Sequence, residues 1–182
     1  EKLGFEFRPT KCNLRFTYKD GKWDEGKLYD TYDITMSVAS NCLHYGQAIF
    51  EGMKAFRCAD GRVCLFRPDA NGERMQQSAH HLLMPEFPVE DFIEAARRVV
   101  AANIEYVPPY GTGGSLYVRP VMFGTSPQIG ISASLEYVLV FMVVPVGPYY
   151  KGGIKPVDAM LSLDYDRAAP HGTGHITFSY TH

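Results

Sequence analysis

The run SLYVRP contains two residues that could bind a small acid, Tyr117 and Arg119. They stand two positions apart in an apolar stretch, so on a strand both side chains point to the same face. A guanidinium beside a phenol on a mostly apolar face is suited to binding a carboxylate. The alternative is an exposed arginine that forms a surface salt bridge, and spacing alone leaves it open. Pro120 predicts an edge or irregular strand, because proline cannot donate to a neighbouring strand.

Other candidate functional groups give weaker signals. Arg74, in NGERMQQS, falls on a predicted helix, where an arginine is usually a solvated surface charge. His171 and His175 form HxxxH, a spacing that places two imidazoles on one side of a helix. Gly172 and Gly174 argue against a helix there, and no cysteine or carboxylate cluster completes a site. The sequence therefore predicts no metal site, and it contains no P-loop, GxSxG or GxGxxG motif.

Composition restricts the possible partners. The chain has 182 residues, 46% of them hydrophobic, and a formal net charge of -2. Phosphate backbones and anionic membrane surfaces select basic proteins, so we expect neither nucleic acid nor a membrane as partner. The longest apolar run, residues 137–146, is about half of the roughly 20 residues that a membrane helix requires. A buried strand is the better interpretation of that run.

The four cysteines, Cys12, Cys42, Cys58 and Cys64, include no CxxC pair. Cys58 and Cys64 could face each other across a hairpin. This number of cysteines in a chain of this length does not require a disulfide framework. The sequence therefore predicts reduced thiols and a cytoplasmic location.

Short Asp-Gly turns and two helices define the expected architecture. Asp20-Gly21 and Asp60-Gly61 each lie between strand-like runs and predict antiparallel hairpins. A third strand is expected through residues 32–38. The predicted helices follow Pro68 and Pro88, and the second carries an apolar stripe; three further strands are expected after it. The stripe comprises Phe92, Ile93, Ala96, Val99, Val100 and Ile104, and the later strands are residues 115–123, 136–144 and 158–163.

This order of elements predicts the α+β class, an antiparallel sheet carrying two helices on one face. Glycine and proline cluster in residues 145–156, which predicts a linker. We therefore expect a small N-terminal domain over 1–144, the linker over 145–156, and the start of a shortened second domain over 157–182. The remaining residues are too few for an independent core.

A family resemblance goes further than these patterns. LHYGQAIFEGMKAFR, residues 43–57, closely resembles the signature of branched-chain aminotransferases, fold-type IV enzymes that use pyridoxal phosphate. DGRVCLFRPDANGERMQQSA, VPPYGTGGSLYVRPVMFGTSP, VFMVVPVGPYYKGG and DYDRAAPHGTGHI resemble the same family in the same order. The matches extend from about Lys19 to Ile176. The resemblance implies the small domain of an enzyme that transfers an amino group between Leu, Ile or Val and 2-oxoglutarate.

The resemblance also implies roles for individual residues. Arg74 matches the arginine that holds the cofactor phosphate in the family. Positions that line the family's substrate pocket correspond here to Tyr45, Phe50, Tyr117 and Arg119.

Two loops are implied as well. Ile129 and Ile131 match a loop that, in the family homodimer, reaches the partner's active site. Tyr149 matches a mobile interdomain loop that covers the substrate.

One position departs from the family pattern. The family's catalytic lysine follows the stretch that matches GTGHI, and this chain has Thr177 there. Threonine cannot form an imine with an aldehyde, so we expect no catalytic residue for covalent chemistry and no covalent hold on pyridoxal phosphate. The last six residues, 177–182, do not resemble the family. The expectation is a truncated form.

Two classes of function follow. The first is a branched-chain amino acid aminotransferase by descent, inactive unless its missing half is supplied; a related D-amino acid aminotransferase is a weaker rival. The second is a non-enzymatic remnant or binding domain that associates through apolar surface.

Overall fold

The chain folds around one antiparallel sheet, with helices packed on one face. The computed structural model describes residues 3–148, 156, 158–161, 163–164, 170–172 and 174. Three α-helices and a 3₁₀ turn, Ile104–Tyr106, accompany eight strands within these residues. The elements are β1 (Asn13–Lys19), β2 (Lys22–Trp23), β3 (Lys27–Tyr29), α1 (Asn41–Tyr45), β4 (Ala48–Phe50), β5 (Met53–Arg57), β6 (Val63–Leu65), α2 (Pro68–His81), α3 (Val89–Ala102), β7 (Ser115–Gly124) and β8 (Tyr137–Val146).

The two longest strands, β7 and β8, form the centre of the sheet and pair along their whole lengths. The strand order is β2-β1-β8-β7-β5-β6, with β3 paired to β1 and β4 paired to β7. One edge of β7 is therefore shared by two short strands, β4 and β5, which meet at Glu51 and Gly52.

The inner face of the sheet forms the core with α2 and α3. Alternate residues of β7 and β8 are buried against the helices, as expected for strands that present one face to a helical layer. Phe92 of α3 packs edge to face on Phe141 of β8, with 5.2 Å between ring centroids. Phe16 and Phe87 form a similar pair at 4.9 Å. This arrangement confirms the predicted α+β class with an antiparallel sheet and two helices on one face.

Both predicted hairpins are present. In the β1–β2 turn, Asp20 and Gly21 both have positive φ, the conformation that matches the twist of paired strands. Trp23, just after this turn, packs edge to face on Phe87, and its Nε1 donates to the carbonyl of Glu86 at 3.1 Å. The hairpin tip is thus attached to the segment between α2 and α3.

The strand predicted for residues 32–38 is wrong. β3 lies earlier, at Lys27–Tyr29, and no strand occurs from 31 to 37. Side chains of β1 take over the hydrogen bonding there. Asn13 Nδ2 donates to the carbonyls of Tyr29 and Thr31, and Arg15 donates to the carbonyls of Thr31 and Asp33. These bonds give the carbonyls of Thr31 and Asp33 a partner without a neighbouring strand.

Pro120 does not lie on an edge strand, because β7 is central, but it does lie at an irregular point, where the pairing along one side of β7 is interrupted. Its carbonyl accepts from Glu51 N at 2.9 Å, at the break between β4 and β5. In an antiparallel sheet, the N–H and the C=O of one residue face the same neighbouring strand. The ring of Pro120 therefore faces the break between β4 and β5, where the sheet does not require a backbone N–H donor.

The predicted apolar stripe of α3 is only partly confirmed. Phe92, Ala96, Val99 and Val100 are buried, but Ile104 lies in the 3₁₀ turn and is 45% exposed. The strand predicted over 158–163 is not present in described residues 158–161, and residue 162 lies outside them. β8 includes Pro145 and Val146, the first two residues of the predicted linker. The division into domains stays a prediction.

No helix in the described part of the chain is long and apolar enough to cross a membrane.

Candidate functional site

The junction between β4 and β5 connects the two arginines selected from the sequence. Phe50 is the last residue of β4, and Glu51 and Gly52 lead into β5. Phe50 contacts Arg119, whereas its neighbour Glu51 binds Arg74. Two consecutive residues therefore touch the two cationic groups.

A half-buried cluster lies on the sheet face opposite the helices. Tyr117 and Arg119 share that face, and Arg119 donates to the Tyr117 hydroxyl from Nη2 at 3.0 Å and from Nε at 3.3 Å. The guanidinium carbon of Arg119 lies 4.8 Å from the centroid of the Phe50 ring. The structure thus brings together three predicted pocket residues: Phe50, Tyr117 and Arg119.

Arg119 has no carboxylate partner within the described residues. Its contacts are to a neutral phenol and two aromatic faces. A half-buried guanidinium held by neutral groups presents its planar donor edge to an incoming acid. This arrangement can bind a carboxylate and does not fit the alternative of a surface salt bridge.

Arg74 belongs to a buried ionic network. Glu51, whose side chain is 2% exposed, accepts from Arg74 Nε at 2.7 Å and from Nη2 at 2.5 Å. Asn71 Nδ2 donates to the same carboxylate at 2.8 Å and to the Gly52 carbonyl at 3.2 Å. The hydrogen bonds to Glu51, together with its charge, raise the pKa of Arg74 above its already high ordinary value. The Arg74 guanidinium is therefore positively charged and is also held in one orientation.

Arg74 is well oriented to bind a phosphate group, but its charge is already compensated within the chain. The Arg74 side chain is 42% exposed, so the fixed guanidinium faces solvent on one side. A fork-shaped donor in fixed orientation suits phosphate. However, Glu51 compensates its charge. A phosphate at this place would need further N–H or cationic donors.

A cavity of about 380 Å³ near α3 has an apolar lining, and a second, of about 310 Å³, adjoins the junction of β4 and β5. The second cavity reaches from Asn71, beside the Glu51 network, to Tyr117, which contacts Arg119. The two predicted contact regions therefore border one space. Its lining comprises Gly52, Met53, Lys54, Phe56, Phe66, Asn71 and Tyr117.

Tyr45 is placed apart from this cluster. Its hydroxyl donates to the carbonyl of Ile129, in the loop between β7 and β8. Gln128 N, in the same loop, donates to the Ala39 carbonyl at 3.0 Å. Ile129 and Ile131 are 65% and 92% exposed. The structure thus brings Tyr45 to the predicted partner loop rather than to Phe50.

Two predicted positions, Tyr149 and Thr177, lie outside the described residues, as does His175. No group of three metal-binding side chains occurs among the residues with described positions. Glu51 is a site residue that sequence reasoning missed. The available signal was a lone acid between two apolar strand runs, in AIFEGMKAF.

Comparison with curated proteins gives consistent relatives. The chain is 47% identical over 174 residues to "Branched-chain-amino-acid aminotransferase" of Haemophilus influenzae, covering 96% of this chain and 50% of that protein. It is 42% identical to the protein of the same name from Helicobacter pylori, covering 96% and 52%. A chloroplastic relative from Arabidopsis thaliana is 38% identical, covering 97% and 42%. No protein-family model matches the chain.

Solved structures agree with these relatives. A branched-chain amino acid aminotransferase from Escherichia coli superposes with a TM-score of 0.64 at 25% identity, covering 88% of this chain and 49% of that one. The branched-chain aminotransferase of the archaeon Thermoproteus uzoniensis, solved with norvaline, gives a TM-score of 0.58 at 26% identity, covering 76% and 43%. Another solved enzyme of the same name is complexed with N-(5'-phosphopyridoxyl)-L-glutamate and gives a TM-score of 0.54 at 28% identity, covering 72% and 41%.

These matches and the described geometry define an α+β domain of the kind found in fold-type IV aminotransferases, as the small domain. The chain is a homologue of the branched-chain-amino-acid aminotransferases over 96% of its length. The resemblance noted in the sequence is confirmed. The chain spans about half the length of the curated relatives it matches.

Proposed function

We propose that this chain provides the carboxylate-binding wall of a branched-chain amino acid aminotransferase site. The observation that carries the proposal is Arg119, which Phe50 and Tyr117 hold on the outer face of the sheet without a carboxylate partner in the described residues. The substrates of the complete site are Leu, Ile or Val and 2-oxoglutarate.

The surroundings of Arg119 support an apolar acid as substrate. Met142 lies opposite Arg119 in the β7–β8 register, and Val121 lies opposite Phe50 in the β4–β7 register. A branched aliphatic side chain packs favourably on such a surface, while its carboxylate pairs with the guanidinium. The wall therefore recognises both ends of a branched-chain amino or oxo acid.

Pyridoxal phosphate is the cofactor of the proposed complete site, and Arg74 would contact its phosphate. When bound, the cofactor supplies an aldehyde that accepts the amino group. Glu51 and Asn71 orient Arg74 for this contact. The chain has Thr177 where the resemblance places a lysine, so we propose that it supplies contacts and no covalent catalysis.

Binding of 4-methyl-2-oxopentanoate to the purified chain tests the carboxylate wall. We expect Arg119→Met to raise the dissociation constant at least about tenfold, because hydrogen bonds to charged groups contribute roughly 1.5–3 kcal/mol. Arg97→Met is the matched control, since Arg97 is an exposed arginine of α3 paired with Glu94. Equal affinities of the two variants, or no binding by the unaltered chain, would contradict the proposal.

Covalent competence is tested separately by intact mass after incubation with pyridoxal phosphate and borohydride. We expect a mass near 20.4 kDa with no stoichiometric adduct. A stoichiometric adduct on one lysine would show that the chain has its own imine-forming site and would overturn this part of the proposal.

A second candidate function is a non-enzymatic association domain. The observation that favours it is the loop between β7 and β8, where Ile129, Ile131 and Leu135 are all more than half exposed. Exposed apolar clusters of this kind promote association, including the homodimer proposed for the complete site. Light scattering of the purified chain should show association, and a clean monomer would count against this candidate.

We also propose a reducing location such as the cytoplasm. All four cysteines are free thiols, which suits a compartment that keeps thiols reduced.

A further inference from the structure

The β5–β6 hairpin brings two cysteines, Cys58 and Cys64, together near its turn. Cys58 N donates to the Arg62 carbonyl at 2.7 Å, and Gly61 N donates to the Cys58 carbonyl at 3.0 Å. Gly61 has φ +85°, as required at the last position of a three-residue hairpin loop. The loop that separates the two cysteines is therefore tightly fixed.

The two thiols lie on the same side of this hairpin. Cys64 stands opposite Phe56, and Cys58 stands opposite Arg62, so the cysteines are diagonal neighbours. Their sulfur atoms are 3.5 Å apart. Cys58 is half-buried and Cys64 is exposed, which leaves the pair accessible from solvent.

The other two cysteines differ in environment. Cys12 is buried, and its sulfur accepts from Asn103 Nδ2 at 3.6 Å. Cys42 is half-buried, and burial raises the pKa of its thiol. No sulfur–sulfur contact is recorded for either within the described residues. Cys58 and Cys64 are therefore the pair in which oxidation can form a bond within the chain.

We propose that Cys58 and Cys64 are a reversible dithiol–disulfide pair, which small-molecule disulfides such as oxidised glutathione convert to a cross-link across the β5–β6 hairpin. One cysteine loses its proton and attacks the oxidant, whose sulfur–sulfur bond breaks and releases one thiolate. The second cysteine loses its proton and attacks the mixed disulfide, which forms the protein disulfide and releases the second thiolate. The two protons pass to the released thiolates, so one disulfide is reduced as the cysteine pair is oxidised.

The diagonal arrangement makes the cross-link reversible. Diagonal neighbours are farther apart at the backbone than directly opposite residues, so closing the bond requires the hairpin to adjust. A disulfide under such strain is readily reduced. The hydrogen bond with Cys64, then burial and nearby negative charge, raise the pKa of the Cys58 thiol, although Arg62 opposes them. The pair therefore rests as thiols until an oxidant is present.

The hairpin sequence provides a direct test. The full chain is incubated with oxidised glutathione, quenched with N-ethylmaleimide, and digested with trypsin under non-reducing denaturing conditions. Trypsin cleaves after Arg62, between the two cysteines, so their peptides stay joined only if the cross-link exists. We expect joined peptides that separate on reduction, with Cys12 and Cys42 carrying N-ethylmaleimide.

Two variants sharpen the result. Cys64→Ser removes the second thiol, so Cys58 should accumulate a stable glutathione adduct instead of the cross-link. Cys42→Ser is the matched control and should form the cross-link as the unaltered chain does. Stable glutathione adducts on Cys58 or Cys64 of the unaltered chain, without joined peptides, would overturn the proposal. Cross-links between separate chains would also overturn it.

Discussion

Glu51 is almost fully buried, and its carboxylate receives three side-chain hydrogen bonds from Arg74 and Asn71. Burying a carboxylate costs free energy unless partners replace its water. The pair is therefore stable only as a complete network, and removal of one member leaves the other charge without compensation.

We expect Glu51→Gln to lower the free energy of unfolding by about 1–3 kcal/mol, because Arg74 loses its charged acceptor. Urea unfolding followed by far-ultraviolet circular dichroism measures the change. Glu94→Gln is the control: Glu94 pairs with Arg97 on the exposed side of α3, and its loss should cost under about 1 kcal/mol. Equal costs for the two variants would mean that Glu51 contributes no more than a surface ion pair.

Because of Tyr137, we expect the folded chain to lose stability in alkaline solution. Burial raises the pKa of its phenol, and its hydroxyl donates to Gln47 Oε1 at 3.4 Å. Above about pH 10 the unfolded chain releases this proton while the folded chain retains it, so rising pH favours unfolding. Tyr137→Phe removes the titration, and its stability should fall less steeply than that of the unaltered chain above about pH 10. Parallel pH curves would exclude a contribution from Tyr137.

At the scale of elements, α3 attaches the helical layer to the sheet. Phe92 is 1% exposed and contacts Phe141, whereas Ile104, at the far end of the same segment, is 45% exposed. The energetic contribution of the segment therefore differs strongly between its two ends.

Phe92→Ala should destabilise the fold by about 3–5 kcal/mol through lost burial and the cavity it leaves. Ile104→Ala, the matched apolar truncation at the exposed end, should change stability by less than about 1 kcal/mol. Thermal or urea unfolding of both variants measures these two changes in stability. Similar losses at the two positions would contradict the burial described for α3.

The elements that the sequence predicted correctly are those with local causes. The Asp20-Gly21 and Asp60-Gly61 turns carry their own backbone preferences, so both hairpins could be predicted. The strand expected over residues 32–38 is absent, and at the start of that stretch Arg15, distant in sequence, bonds the carbonyls of Thr31 and Asp33 instead of a neighbouring strand.

In the candidate site, too, only the local relationships could be predicted from the sequence. Tyr117 and Arg119 share a face by strand alternation, which spacing alone predicts. Their contact with Phe50 was implied only by resemblance, and the ion pair of Glu51 and Arg74 spans 23 positions. Spacing carries no information on such a pair, because the intervening hairpin and turn decide which residues meet.

At the scale of the whole molecule, the loop between β7 and β8 is one of the places where apolar side chains are exposed. Ile131 and Leu135 are 92% and 76% exposed, although Ser126, Ser134 and Gln47 fix the loop by hydrogen bonds. An ordered loop with exposed apolar residues can form an interface without a large entropic cost of ordering.

The double variant Ile131→Ser, Leu135→Ser should therefore reduce self-association, as measured by light scattering over a concentration series. Ile104→Ser is the control, because it removes a similar exposed side chain outside this loop. Association that is unchanged in the double variant, or weakened equally in the control, would place the contact elsewhere.

Trp23 is the single tryptophan of the chain, and it lies where the β1–β2 hairpin meets the segment between α2 and α3. Its indole contacts Tyr18 as well as Phe87, so it senses both sides of that boundary. Intrinsic tryptophan fluorescence therefore reports on the contact between the β1–β2 hairpin and the α2–α3 segment without any added label. If the hairpin detaches before the core melts, the emission will shift to longer wavelength while the circular dichroism signal is still native.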